Sequence, residues 1–256
     1  MTEFNGPAAS PIGESLTVHP LSQAERVVDA FIAPSKTFTD ILRDQSWWLP
    51  FLLGIVVSYG YMFVVQRQVG WDTVAENTLK QDPKASERLA NATPEAKAQA
   101  QTFTLAIIKY SFFASPLLAL LFGAIVSLIL WATINVISGG HATFGRVFAV
   151  WMYGTLPVLI KSILVIITLF AGLDKDAFNL SNPVGTNIGY FLPIDSAKWL
   201  MTLATSIDII WIWTMILVGI GLAIVAKVKR GSGLIAVFGW WLLILLVRVG
   251  YAAITG

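Results

Sequence analysis

The sequence predicts an all-α membrane protein, a five-transmembrane-helix bundle preceded by short amphipathic interfacial helices. Three observations lead there. Of 256 residues, 56% are hydrophobic and only 12% charged, about half the charged share of an ordinary soluble domain. The mean hydropathy is +0.71. The apolar residues are also gathered into stretches that match a hydrocarbon core of about 30 Å at a rise of about 1.5 Å per residue. A soluble domain, a disordered chain and a nucleic-acid binder are excluded, since a net charge of +2 makes no basic field. Cysteine is absent, which removes disulfides, thiolate metal sites and thiol catalysis.

The predicted spans are 47–65, 105–137, 147–170, 199–225 and 234–253, and their charged residues are Lys109, Lys161, Asp208 and Arg248. Lipid offers no partner to backbone N–H and C=O groups, so these stretches are helices. Trp47, Trp48, Trp151, Trp199, Trp240 and Trp241 mark their boundaries, where an indole prefers the headgroup layer. Pro50 falls in the first turn of span one, while Pro116 and Pro157 are expected to kink spans two and three. Span two is overlong, so it either tilts or leaves its first turn, with Lys109, in the interface.

The first apolar run begins at residue 47 after a polar leader, and no signal peptide is read there. Connections 138–146 and 226–233 carry Arg146, Lys227, Lys229 and Arg230, whereas 171–198 sets Lys175 and Lys198 beside three aspartates. This asymmetry places the N-terminus in the cytoplasm and the C-terminus outside.

Within the leader, residues 1–20 are expected to be disordered. Ser22 with Glu25 forms a capping box that starts a helix near Gln23. Val27, Val28, Phe31 and Ile32 line one face of it until Pro34, and Ser35 is placed to cap a second helix with Phe38, Ile41 and Leu42. Residues 21–46 thus read as helices in the membrane surface, or packed on the cytoplasmic end of the bundle. Thr93 is placed to cap a helix entering span two. In 171–198, Asp174, Asp176 and Asn179 depart from calcium-loop spacing and no glutamate follows.

Three segments read together. Phe31-x-x-Pro34-x-x-x-Phe38 precedes span one, Gly139-Gly140-x-x-x-Phe144 joins spans two and three, and Tyr153-Gly154-x-Leu156-Pro157 lies within span three. With five spans and a cytoplasmic leader, the chain resembles the Yip family of Ypt/Rab GTPase-interacting membrane proteins, in its bacterial branch, over residues 25–253. The resemblance implies a five-helix, multi-pass integral protein of a bacterial inner (cytoplasmic) membrane, without known chemistry. Eukaryotic members are associated with Rab GTPases and vesicle traffic, but their Asp-Leu-Tyr-Gly-Pro segment is missing from this leader.

Ionisable residues at membrane depth are where function is sought first. Counted along antiparallel spans, Lys161, Asp208 and Arg248 lie about 21, 25 and 21 Å from the cytoplasmic edge. They form a candidate intramembrane polar cluster, either a switch or ion-conducting position or a structural pair. Alternatively, Asp208 sits at the outer start of span four as a helix cap, with Lys161 and Arg248 snorkelling. In span two, Ser115, Ala119, Gly123 and Ser127 form a small-residue ridge for close helix packing, within the bundle or between copies.

No enzyme constellation emerges. The histidines are His19 and His141, both outside the spans, and intramembrane aspartate is limited to Asp208. Five spans do not divide into the repeats of a secondary transporter. The reading is a non-catalytic scaffold or adaptor that recruits protein partners or self-associates in the bilayer. Its alternative is an ion channel or transporter component using Lys161, Asp208 and Arg248. No cofactor, metal, nucleic acid or small-molecule substrate is implied.

Overall fold

The computed structural model describes residues 20–172, 174–193 and 195–255. The segment expected to be disordered, 1–20, lies outside them except for Pro20. Five stretches of helix are long and apolar enough to cross a membrane: Trp48–Gln68, Pro94–Ser138, Phe144–Phe170, Ile209–Ala226 and Arg230–Thr255. Among the described residues the fold is helical, with one isolated β-bridge between Asn187 and Asp208.

Helix α1 (Gln23–Ile32) begins at the expected capping box. The Glu25 N–H donates to Ser22 Oγ, and the Ser22 N–H donates to the Glu25 carboxylate. Helix α2 (Pro34–Asp40) starts on Pro34 itself with no side-chain cap. Ser35 lies inside it and accepts a hydrogen bond from Arg230 instead. The pair packs onto the bundle, α2 against α10 (Ile209–Ala226) and α1 against α7 (Phe144–Gly154). Phe38, Ile41 and Ala30 are completely buried.

The face that α1 buries is rotated from the apolar one expected. Val28 and Ile32 are exposed, and Arg26 is completely buried with Ala30, one turn on. Arginine tolerates this site because its partners come with it. Its Nε donates to Asp40 Oδ2 at 2.6 Å, its Nη2 reaches Asp44 at 3.3 Å, and Thr37 Oγ1 donates to its backbone oxygen. A buried charge needs such a full set of partners.

Span one is α3 (Trp48–Gln68). The connection that follows forms α4 (Trp71–Gln81) and α5 (Pro83–Ala90). Val74 and Ala75 of α4 are buried with Val65, Ile108 and Phe178 in a small core at the far end of the bundle, away from the leader. Helix α6 (Pro94–Ser138) starts at the Thr93 cap and runs through Pro116 for 45 residues, about 68 Å at the helical rise. Its N-terminal part therefore extends beyond any single bilayer crossing.

Span three is two helices, α7 and α8 (Pro157–Phe170), broken at Thr155–Leu156. Pro157 has no N–H to continue α7, and Thr155 Oγ1 bonds back to the carbonyls of Trp151 and Met152. Span four is shorter than the sequence predicted. Helix α9 (Lys198–Ser206) ends before a break at Ile207 and Asp208, and α10 begins afterwards. Helix α11 (Arg230–Thr255) closes the bundle.

The centre of the bundle is α10, with 61% of its span buried against 11% for α3. Small residues permit that position. A Cβ on Gly221 would meet Phe38 at 2.8 Å and Val150 at 2.7 Å, and one on Gly219 would meet Leu234 at 2.7 Å. Contact this close is the usual route to helix association where lipid is as apolar as the side chains.

The Asp40 carboxyl is pushed up by burial, but hydrogen bonds from Arg43 and Arg26 outweigh this and hold it below its ordinary value. Its contribution to stability is complete above an unfolded pKa of about 3.9 and disappears as pH falls through the lower folded value. Asp40→Asn strips Arg26 of its nearest counter-charge at an expected cost of about 3 kcal/mol. The measurement is melting in detergent across pH, where the variant melts lower at neutral pH and loses part of the acid-side decline.

Candidate functional site

Asp208 is the N-cap of α10, and its Oδ1 accepts from the N–H groups of Ile210 at 2.9 Å and Trp211 at 3.3 Å. Its Oδ2 accepts from Lys161 Nζ on α8 and from Thr186 Oγ1, both at 2.7 Å. Four donors thus converge on one carboxylate. The residue is 1% exposed, whereas the Lys161 side chain is 21% exposed.

The connection after α8 folds back to supply Thr186. Its backbone oxygen accepts from the Ile209 N–H at 3.0 Å, tying the connection to the first turn of α10. Asn187 and Asn182 exchange side-chain amide bonds of 2.7 and 3.2 Å, and Asn187 Oδ1 also accepts from the Tyr190 N–H. Irregular backbone beside a membrane span is tolerated when protein covers it and its polar groups are paired. The connection also docks on α4, where Asn77 donates to the carbonyls of Lys175 and Phe178.

Arg248 corrects the three-residue cluster expected from helix depth. It is exposed on α11 between Val247 and Val249, and it has no hydrogen bond or ion pair to another described residue. Depth along antiparallel helices compares heights but does not say which faces meet. Lys161 and Asp208 do meet, and Asp208 stands at the helix start that the shorter reading of span four allowed. Thr186, Asn187 and Asn182 escape sequence analysis, because nothing local in their sequence signals the fold-back. Arg26 and Asp40 were missed as well, although their acidic and basic neighbours in a short leader were the available signal.

The motif residues gather chiefly at the leader end. Phe31 meets Trp213 edge-on at 5.8 Å, and Phe38 fills the space opposite Gly221. Gly139 ends α6 with φ +65°, and the Gly140 N–H bonds to the Ile134 carbonyl at 3.1 Å. Pro34 and Pro157 each open a helix, and Phe144 stacks on Phe148. The Tyr153 hydroxyl, reaching the leader, donates to Gln23 Oε1. A Cβ on Gly154 would lie 2.6 Å from Val218, so that glycine sets the α7–α10 approach. These positions shape the bundle.

The family model for the Yip1 domain matches residues 28–250. The chain belongs to the Yip1 domain family. The match begins inside α1 at Val28, two residues after Arg26, and runs through α2 and all five spans to Gly250 in α11. It is a multi-pass integral membrane protein of the Yip type. Neither the curated proteins nor the solved structures compared with the chain returned a match.

The ridge residues divide between two surroundings. Ser127 is buried and Gly123 lies against Trp151, while Ser115 meets Ser58 of α3 at 3.0 Å and Ala119 lies beside the same seam. No group of three metal-ligating side chains is assembled among the described residues, Asp174 and Asp176 included.

Lys161→Met and Asp208→Asn are each expected to lower stability, with a double-variant loss smaller than the sum by about 1–3 kcal/mol. Denaturant or thermal unfolding of the four proteins in one detergent measures that coupling. Gly154→Val drives a branched side chain into Val218, for an expected overpacking cost of about 1–3 kcal/mol read in the same assay.

Proposed function

We propose that this Yip1-domain protein is a non-catalytic scaffold or adaptor that recruits protein partners at a membrane. One observation carries the reading. The leader helices are tied to each other by the buried Arg26 contacts and seated on the bundle by Ala30, Phe38 and Ile41, yet Val28 is 56% and Ile32 74% exposed. A rigid helix presenting apolar side chains beside the headgroup layer is suited to meeting a neighbouring membrane protein.

The leader end faces the cytoplasm of a bacterial inner membrane in this reading. Arg146, Lys227, Lys229 and Arg230 collect in the short connections there, as the positive-inside rule requires. Asp208 serves as a structural anchor that joins the far-end connection, α8 and α10. A conducting role needs a carboxylate free to exchange partners, and this one already accepts from four donors.

Liposomes holding the full chain are expected to keep an ion gradient as well as empty ones do, with Asp208→Asn making no difference. A photo-crosslinker placed at Val28 is expected to trap the same protein neighbours repeatedly in native membranes, and Ile32→Glu to abolish their capture. Ion flux that disappears with Asp208→Asn overturns the scaffold reading in favour of a channel.

A further inference from the structure

A cleft of about 310 Å³ lies between α3, α6, α8 and the break that separates α7 from α8. We infer that this cleft is a binding site for one hydrocarbon chain of a bilayer lipid. It falls in the size range of small-molecule sites and is lined mostly by apolar side chains, including Phe51, Phe122, Trp151 and Trp211. The break makes the space: where α7 stops at Gly154, the chain turns before α8 resumes at Pro157.

The occupant follows from where the cleft opens. Its lining residues belong to the membrane-spanning helices, and Phe122 at its rim is 56% exposed among the lipid-facing side chains Leu118, Leu121 and Ile125 of α6. The cleft is therefore continuous with the surface that lipid already covers. An unfilled space there forfeits dispersion contacts along its whole lining. Lipid chains surround the opening at solvent concentration.

The polar groups of the cleft agree with such a ligand. Ser58 and Ser115 bond to each other at 3.0 Å, and Thr155 bonds back to its own helix, so these hydroxyls are satisfied without a polar ligand. Tyr61 and Ser162 line the cleft without a hydrogen-bond partner among the described residues. Each lies about 16 Å along its chain from Pro50 or Trp151 at the other end of the cleft, at the helical rise. The Pro50 end lies beside Trp47 and Trp48 at the headgroup layer, so a lipid ester belongs there, with the chain running towards Tyr61 and Ser162.

The test uses the full chain in phospholipid vesicles doped with a phospholipid carrying a mid-chain diazirine. After illumination, mass spectrometry maps the labelled residues. Labelling of 50–61, 115–122 and 151–162 is expected to exceed that of the exposed Leu246–Val247 face of α11 severalfold. Gly54→Phe fills the cleft, because a Cβ at Gly54 meets nothing within 4 Å, and is expected to reduce cleft labelling about tenfold while α11 labelling and melting temperature stay unchanged. Ala119→Leu narrows the same space with a smaller side chain and is expected to reduce it in the same direction should Gly54→Phe not fold. Cleft labelling no greater than that of α11, labelling unchanged in a folded cleft-filling variant, or cleft residues that crosslink to a second copy instead of lipid would overturn the assignment.

Discussion

A polypeptide in hydrocarbon has to find hydrogen-bond partners for its polar groups within itself, and three irregular features of this bundle answer that demand locally. Where α10 starts, Asp208 accepts two backbone N–H groups. Where span three breaks, Thr155 returns its hydroxyl to the carbonyls of the preceding turn. At the turn between α6 and α7, Asn135 bonds both the N–H and the carbonyl of Ala142, and the Trp131 indole donates to that same carbonyl. Because those groups are paired on the spot, the helices can stop, turn and restart beside the bilayer without leaving donors to lipid.

The same bookkeeping explains the two ionic sites, which differ in kind. Arg26 is completely buried and joins α1 to the end of α2 and the segment that follows it, so its role is to hold two short helices in one arrangement. Helices of this length are marginal alone, and packing on α10 and α7 supplies what their own hydrogen bonds cannot. Lys161 keeps part of its side chain exposed while its ammonium reaches the carboxylate. Desolvation is therefore smaller on the cationic side of that pair, and the anionic side is repaid by the backbone of α10 as well as by Lys161. Such pairs contribute more to geometry than to net stability.

The central helix connects these features. Its glycines admit α2 and α11 at short range, its N-cap gathers the far-end connection, and its C-terminal residue Ala226 offers a carbonyl to the His141 N–H at the leader end. The residues singled out as a motif in the sequence sit largely on the elements that surround it, and they act through shape: a glycine where α10 approaches, a proline where α7 ends, a tyrosine that reaches the leader. In this fold those residues serve to arrange helices.

Hydrophobic run length was enough, in the sequence alone, to determine five membrane-spanning helices, because the bilayer imposes a length and a backbone constraint independent of neighbours. The Ser22–Glu25 box and the Thr93 cap were legible for the same reason, being local in chain and in space. What tertiary structure decided were the contacts between distant elements. Whether Arg248 shares a face with Asp208, which side of α1 turns inward, where span four truly begins and what covers its start all depend on helix rotation and on a fold-back that no local pattern encodes. Apolar residues surround most of these helices, so a one-dimensional pattern has no polar face by which to orient them. Partner geometry alone chose the orientation.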